Sequence, residues 1–356
     1  MIIQLFTPDG YLGESAPRVG AAVHMEPSGL SRSINTLEKI TPEPAVASQR
    51  GVSARRPGLG GVGIALFSSA VFGLSGSFAK ALLDVGWTPA AAVTLRMGGA
   101  AIVLLIPTLL VMRGKWSMLG QNWKSILLFG LFGVAACQFF YFQAVERLDV
   151  GVALLLEYLA PVLIVLFLWV RHRKRPAALT IAGTVLSLIG LMAVLDLTGS
   201  TSVDPIGVLW GLGAAVGLVV YFFVSARVDG ALPPLVLATG GLLVGTTMMV
   251  LLGLTGILDM RVVLAPVRLA QWETHWAVAL GGLIFFSTVL SYVSGIIAAR
   301  ALGSKLASFI SLTEVLFAVF WAWLLLGQLP AGIQLLGGAL IVGGVLLVRA
   351  DELRNP

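Results

Sequence analysis

Few residues in this chain could do chemistry, and most lie where an ionised group is expensive. Glu157 sits inside Val150–Val170, VGVALLLEYLAPVLIVLFLWV, an apolar run long enough to cross the roughly 30 Å hydrocarbon core of a bilayer. A charged side chain at that depth costs about 3 kcal/mol or more, so its default reading is functional. Pro161 follows one helical turn later. Lacking an N–H, it leaves the backbone oxygen of Glu157 without its helical donor. A membrane tolerates a carboxylate beside a freed carbonyl only where protein or water covers both. Glu314 is the other carboxylate well inside apolar sequence. The chemistry these two offer is capture of a substrate ammonium group or of a proton. The structural alternative is a protonated carboxyl, or one bonded to Tyr and Ser neighbours.

Two cations also lie within spans, Lys80 far enough along its own to reach the outer surface and Arg96 deeper. Arg96 either attracts a carboxylate substrate or holds Asp84 or Glu157. Lys80 is either part of the same site or a snorkelling lysine paired with Asp84 four residues on. Gln138, Gln143, Tyr158, Tyr221, Ser225, Tyr292 and Ser294 carry amides and hydroxyls able to bond a zwitterion. Most polar residues of this kind join helix to helix, at about 0.6 kcal/mol each, so only two or three are expected in a site. The candidates for a substrate- or proton-binding site are Glu157, Glu314, Arg96, Lys80, Tyr158, Tyr221, Tyr292 and Gln138.

Catalytic chemistry finds no support. His24, His172 and His275 are too scattered to hold a metal, no GxSxG occurs, and the Gly-rich stretch 73–76 lacks the Lys-Ser/Thr of a phosphate-binding loop. A single cysteine, Cys137, excludes an internal disulfide framework. No enzyme activity, cofactor or metal is expected.

The elements that must position these residues are membrane helices. With 58% hydrophobic and 11% charged residues, the composition lies far from that of a soluble domain, in which about a quarter of residues are charged. Residues 1–57 have no sustained apolar run and read as a disordered cytoplasmic tail. From Leu59 onward the pattern predicts ten spans, at about 60–82, 90–112, 124–144, 150–170, 177–196, 206–226, 234–256, 276–299, 305–326 and 331–349, and a short cytoplasmic C-terminus over 350–356. With alternating loops, eighteen of the 23 Lys and Arg residues fall on one side. Three, Arg147, Arg261 and Arg268, fall on the other, and Lys80 and Arg96 lie within spans. That bias puts both termini in the cytoplasm and makes nucleic-acid binding an unneeded explanation of the +6 charge.

The chain also repeats itself. A shift of 154 places Leu148 on Leu302, Trp169 on Trp323, Pro176 on Pro330, Gly183 on Gly337 and Gly190 on Gly344; a shift of 145 pairs Ala70 with Ala215, Asp84 with Asp229 and Pro89 with Pro234. The halves, 58–200 and 201–349, hold five helices each, and because five is odd the second enters the membrane inverted. The basic loop RHRKR at 171–175 corresponds to the uncharged GQLP at 327–330, as inversion requires. Inverted repeats place a substrate site near the midplane between halves. Trp169, Trp321 and Trp323 near span ends fit an aromatic belt. Gly207/Gly211 and Gly213/Gly217 have GxxxG spacing, read as packing within the bundle, although a homodimer is left open.

FGLSGSFAKALL, Phe72–Leu83, resembles the first helix of the EamA family of the drug/metabolite transporter superfamily, and TLRMGGAAIVLL, Thr94–Leu105, resembles its second with the early arginine, here Arg96. Leu148–Val170 and Leu302–Gly327 are similar to its fourth and ninth helices. The resemblance covers about 60–350. Departures are Phe72 in place of tryptophan, Val315 where proline often follows the glutamate, and Lys174 and Gln328 where glutamate often closes those helices. The resemblance implies an all-α integral membrane protein of ten transmembrane helices in two inverted five-helix EamA repeats. It implies a secondary transporter in a bacterial inner membrane that exports amino acids or related small metabolites by alternating access, with proton coupling one option. Its partners would be a small-molecule substrate and the lipid bilayer. The alternative within transport is a drug or nucleotide-sugar carrier; outside it, an intramembrane enzyme lacks a nucleophile and base at one depth, and a scaffold protein would tolerate loss of Glu157.

Overall fold

The computed structural model describes residues 59–148, 150–173, 175–195, 204–227, 232–269, 272–327 and 329–354. The expected tail, Lys174, Asp229 and Gln328 lie outside these residues. Each long apolar run is helical, because hydrocarbon offers no water to its backbone groups and a helix satisfies them internally. The first half comprises α1 (Leu59–Leu83), α2 (Pro89–Val111), α3 (Ser117–Leu128) continued by a π-helical stretch Phe129–Ala136 into α4 (Cys137–Val145), α5 (Val150–Glu157), α6 (Ala160–His172) and α7 (Ala178–Val194). The second comprises α8 (Pro205–Arg227), α9 (Pro234–Leu254), strands β1 (Val267–Leu269) and β2 (Trp272–Thr274), α10 (Trp276–Ile284) continued by a π-helical stretch Phe285–Leu290 into α11 (Ser291–Ser311), α12 (Thr313–Leu326) and α13 (Gly332–Arg354). Among the described residues, eight helical segments are long and apolar enough to span a membrane, and Ala178–Val194 and Thr313–Leu325 are shorter apolar helices.

The segment Trp276–Ser311 has 36 residues, about 54 Å at the helical rise, too long for one crossing. It is divided at Gly303, whose φ of 78° and ψ of 164° are not helical and suit glycine because it has no Cβ to clash. The eighth crossing therefore ends there and the ninth begins, where the hydropathy pattern puts the gap between spans.

The fourth and ninth crossings are each expected as one helix, and each is interrupted by a short turn whose linking residues, Leu159 and Leu312, keep right-handed helical dihedrals. The first break, at Tyr158–Leu159, follows from Pro161, which occupies the first turn of α6, where a missing N–H costs nothing. The second, at Leu312, has no proline near it, since Val315 stands where the repeat aligns with Pro161. Here Thr313 Oγ1 donates to Ile310 O at 2.7 Å, and Leu312 and Val315 make short-range backbone bonds to Phe309 O and Leu312 O, a local side-chain bond competing with the regular ladder. Leu312 is the residue that the shift of 154 places on Tyr158.

Packing follows the internal symmetry. α1 lies against α11 and α12 of the other half, α8 lies against α4, α5 and α6, α2 packs on α9, and α7 packs on α13. The α9–α10 connection carries the β1–β2 hairpin, with Val267 opposite Thr274. This connection is tied to the α1–α2 turn: Trp87 Nε1 donates to Val263 O at 2.5 Å and Thr88 Oγ1 to Asp259 O at 2.7 Å. The GxxxG glycines of α8 face Leu148, Leu156, Phe140 and Cys137 inside the bundle.

The α7–α13 seam depends on glycine. A Cβ on Gly183 would lie 2.6 Å from Gly344 O, and one on Gly344 2.5 Å from Gly183 O; a Cβ on Gly190 or on Gly337 would lie 2.6 Å from the other's carbonyl oxygen. The glycines that the repeat aligns thus face one another crosswise. Gly190→Val and Gly337→Val should each destabilise the purified protein by about 2 kcal/mol or more, the usual penalty of overpacking. Gly332→Ala, whose Cβ would meet nothing within 4 Å, should melt like the parent. Indistinguishable thermal unfolding of all three in detergent would show that the seam does not depend on close approach.

Candidate functional site

Between the halves lies a cavity of about 670 Å³, and all eight candidates from the sequence, Lys80, Arg96, Gln138, Glu157, Tyr158, Tyr221, Tyr292 and Glu314, line it. Its walls come from α1, α2, α4, α5, α8, α11 and α12, together with the broken turn at Tyr158. Gln143, Ser225 and Ser294 are not among the lining residues. Ser294 instead donates to Leu290 O of its own helix at 2.6 Å.

The two breaks bring the carboxyls together. Glu157 is the last residue of α5, and its Oε1 accepts a hydrogen bond from Cys137 Sγ at 3.3 Å. Glu314 lies in the first turn of α12, where the helix dipole favours a negative charge. Tyr158, at the break in the first half, donates from its hydroxyl to Glu314 Oε1 in the second half at 2.7 Å. The neighbour of one carboxyl thus holds the other.

Arg96, on α2, is 4% exposed. Its Nη1 donates to Ser75 Oγ at 2.8 Å and its guanidinium stands over the Phe72 ring, 5.5 Å from the centroid. Its Nε has no hydrogen-bond partner, and among the described residues Arg96 makes no ion pair, so the expected alternative of a pairing with Asp84 or Glu157 is not what the structure contains. It nevertheless lies within Coulombic reach of both Glu157 and Glu314. Lys80 Nζ is bonded to Asp84 Oδ1 at 2.9 Å, both side chains about half exposed, as the snorkelling reading expects, and the pair stands on the rim of the cavity.

Tyr221 and Tyr292 meet edge to face, centroids 5.9 Å apart at 86°. Gly295 leaves room for the first of them, since a Cβ there would lie 2.7 Å from Tyr221 Oη. Trp321 departs from the aromatic-belt reading: its Nε1 donates to Ala70 O at 2.8 Å and ties α12 to α1. Trp169 and Trp323 are exposed, 43% and 46%, as belt residues are.

Sequence reasoning passed over Phe72, Ser75, Cys137 and Tyr141 as lining residues. A signal for two of them existed. Gly133, Cys137 and Tyr141 recur every four residues beside Gln138, so they share one face of the third crossing. That crossing is widened at 129–136 by its π-helical stretch, a feature frequent at functional sites.

The sequence model of the EamA-like transporter family matches twice, over residues 59–195 and 205–350. The uncharacterized inner membrane transporter YicL of Salmonella typhimurium is 27% identical over 65% of this chain and 74% of its own length. The threonine/homoserine exporter RhtA of Escherichia coli is 26% identical over 78% of this chain and 88% of its own. A solved crystal structure superposes with a TM-score of 0.60 at 24% identity, covering 80% of this chain and 96% of that one, a likeness of fold. Two broken helices meeting at a cavity between inverted repeats, and two matches of one transporter family end to end, lead to one conclusion: this chain belongs to the EamA-like transporter family and is a membrane transporter of the drug/metabolite transporter superfamily, not an enzyme.

Proposed function

We propose that the protein exports amino acids or related small metabolites across a bacterial inner membrane by alternating access, and that Glu157 and Glu314 receive the substrate's ammonium group or an exchanging proton. The observation that carries this reading is that two carboxyls, presented by broken helices of opposite halves, share a cavity with one buried arginine. Discontinuous helices at a repeat interface are the usual setting of a transporter's substrate and coupling ion. The reading is supported by the printed names of the relatives, an inner membrane transporter and threonine/homoserine exporters. The distribution of Lys and Arg supports cytoplasmic termini.

In mechanism, the halves rock about the cavity, and the bonds that cross it are candidates to break and reform. The Tyr158–Glu314 bond is one, since its partners belong to different halves. The cavity volume, about 670 Å³, lies within the range of roughly 300–1,000 Å³ that holds drug-sized ligands. That observation favours the second reading, a drug or another bulky metabolite.

Two measurements test the assignment. In proteoliposomes with an imposed pH gradient, the parent should move at least one labelled amino acid, and Glu157→Gln should reduce net flux to background while still inserting and purifying as a folded protein. Normal flux in that variant would remove Glu157 from the site. In a double-mutant cycle on thermal unfolding, Tyr158→Phe and Glu314→Gln should be non-additive by about 1 kcal/mol or more, since they remove one shared bond. Additivity would show that the bond across the cavity contributes nothing.

A further inference from the structure

Arg96 is buried, positively charged and incompletely satisfied. Buried charges are ordinarily paired and hydrogen-bonded, yet this guanidinium has Ser75 Oγ on Nη1, an aromatic face beneath it and a wholly buried Nε without an acceptor. The two carboxyls that would neutralise it are in the same cavity, but each is held by a neutral donor, Glu157 by Cys137 of its own half and Glu314 by Tyr158 of the opposite half. The cavity therefore holds both signs of charge with no ion pair joining Arg96 to either carboxyl among the described residues. A ligand with one charge leaves one pole unanswered: a cationic drug would leave Arg96 unpaired, and a sugar nucleotide would bring phosphates to two carboxyls. A zwitterion answers both.

We propose that Arg96 is the carboxylate anchor of the transport site, binding the acid end of an amino-acid-like zwitterion while Glu157 and Glu314 face its ammonium group. Ser75 and Phe72 engage the guanidinium by one nitrogen and one face, with no ion pair to lock its orientation. This leaves the Nε–Nη2 edge, two parallel donors matched to the two oxygens of a carboxylate. The buried Nε–H gains its acceptor as the guanidinium turns toward the ligand. The inference rests on the reading of this cavity as a site for amino-acid transport, and it narrows the substrates to those with a free carboxylate.

The test is a thermal-shift titration of the full-length purified protein with matched pairs, L-threonine against L-threoninol and L-phenylalanine against L-phenylalaninol. It is run on the parent, Arg96→Lys and Arg96→Gln, each first shown to unfold cooperatively. At least one acid should stabilise the parent, with its alcohol about tenfold weaker or more, the scale of a charge-assisted bidentate bond. Arg96→Lys should keep part of that preference, and Arg96→Gln should lose it, acid and alcohol then binding alike. Ser75→Ala, which frees the guanidinium from its tether without removing its charge, should weaken the acid less than Arg96→Gln does. Equal binding of acid and alcohol by the parent, or a preference that survives Arg96→Gln, overturns the anchor. The transport reading stands in that case if the acids still cross proteoliposome membranes. Binding of the alcohols alone, or of neither member of either pair, overturns both.

Discussion

Within hydrocarbon, an unpaired backbone group has no water to turn to, and the architecture of this protein depends on that constraint. A continuous helix meets it within its own span, but a broken one requires cover from neighbours or a water-filled space. The fourth and ninth crossings break at Tyr158–Leu159 and at Leu312. Both breaks border the same cavity, and each has the first helix of the other half beside it, α8 against α5 and α6, α1 against α11 and α12. The breaks, the cavity and the exchange of helices between halves are thus consequences of one demand.

The two sides of the repeat interface answer to opposite packing rules. Along α7 and α13 the glycines 183, 190, 337 and 344 let backbone meet backbone, maximising dispersion contacts where no hydrophobic drive between helices exists. Around the cavity the walls are held off by large rings, Phe72, Tyr141, Tyr158, Tyr221, Phe222 and Tyr292. A close-packed seam on one side and an open, ring-lined space on the other thus mark the two faces of the interface. The π-helical stretches Phe129–Ala136 and Phe285–Leu290 fall in the third crossing of each half and end beside Cys137 and Ser291, both lining residues.

Charge is distributed with the same economy. The exposed Lys80–Asp84 pair at the rim contributes little to stability, as solvated ion pairs do. The set lining the cavity is different: one buried guanidinium and two partly buried carboxyls inside a mostly apolar wall. Each is tethered by a serine, a cysteine or a tyrosine rather than by its opposite charge. In the proposed reading, these tethered charges receive a partner that carries both signs.

Much of this was legible in the chain because membrane physics writes itself into composition. Twenty-residue apolar runs, the one-sided basic loops and the five-helix repeat depend only on local hydropathy and charge, so the number of crossings and the duplication follow from sequence. The break at Pro161 follows too, since a missing N–H is a covalent fact. The break at Leu312 does not, because no proline marks it and a threonine hydroxyl must compete with the helix in its folded surroundings. Nor could sequence decide what Arg96 touches, that Trp321 turns inward to Ala70, or that Cys137 and Tyr158 are the groups that hold the two carboxyls. Sequence alone determined which residues are too costly to be idle in a bilayer, because that cost is set by the residue and its depth. Tertiary structure alone decided which of them meet, because those partners lie on helices that only the crossed packing of two inverted halves brings together.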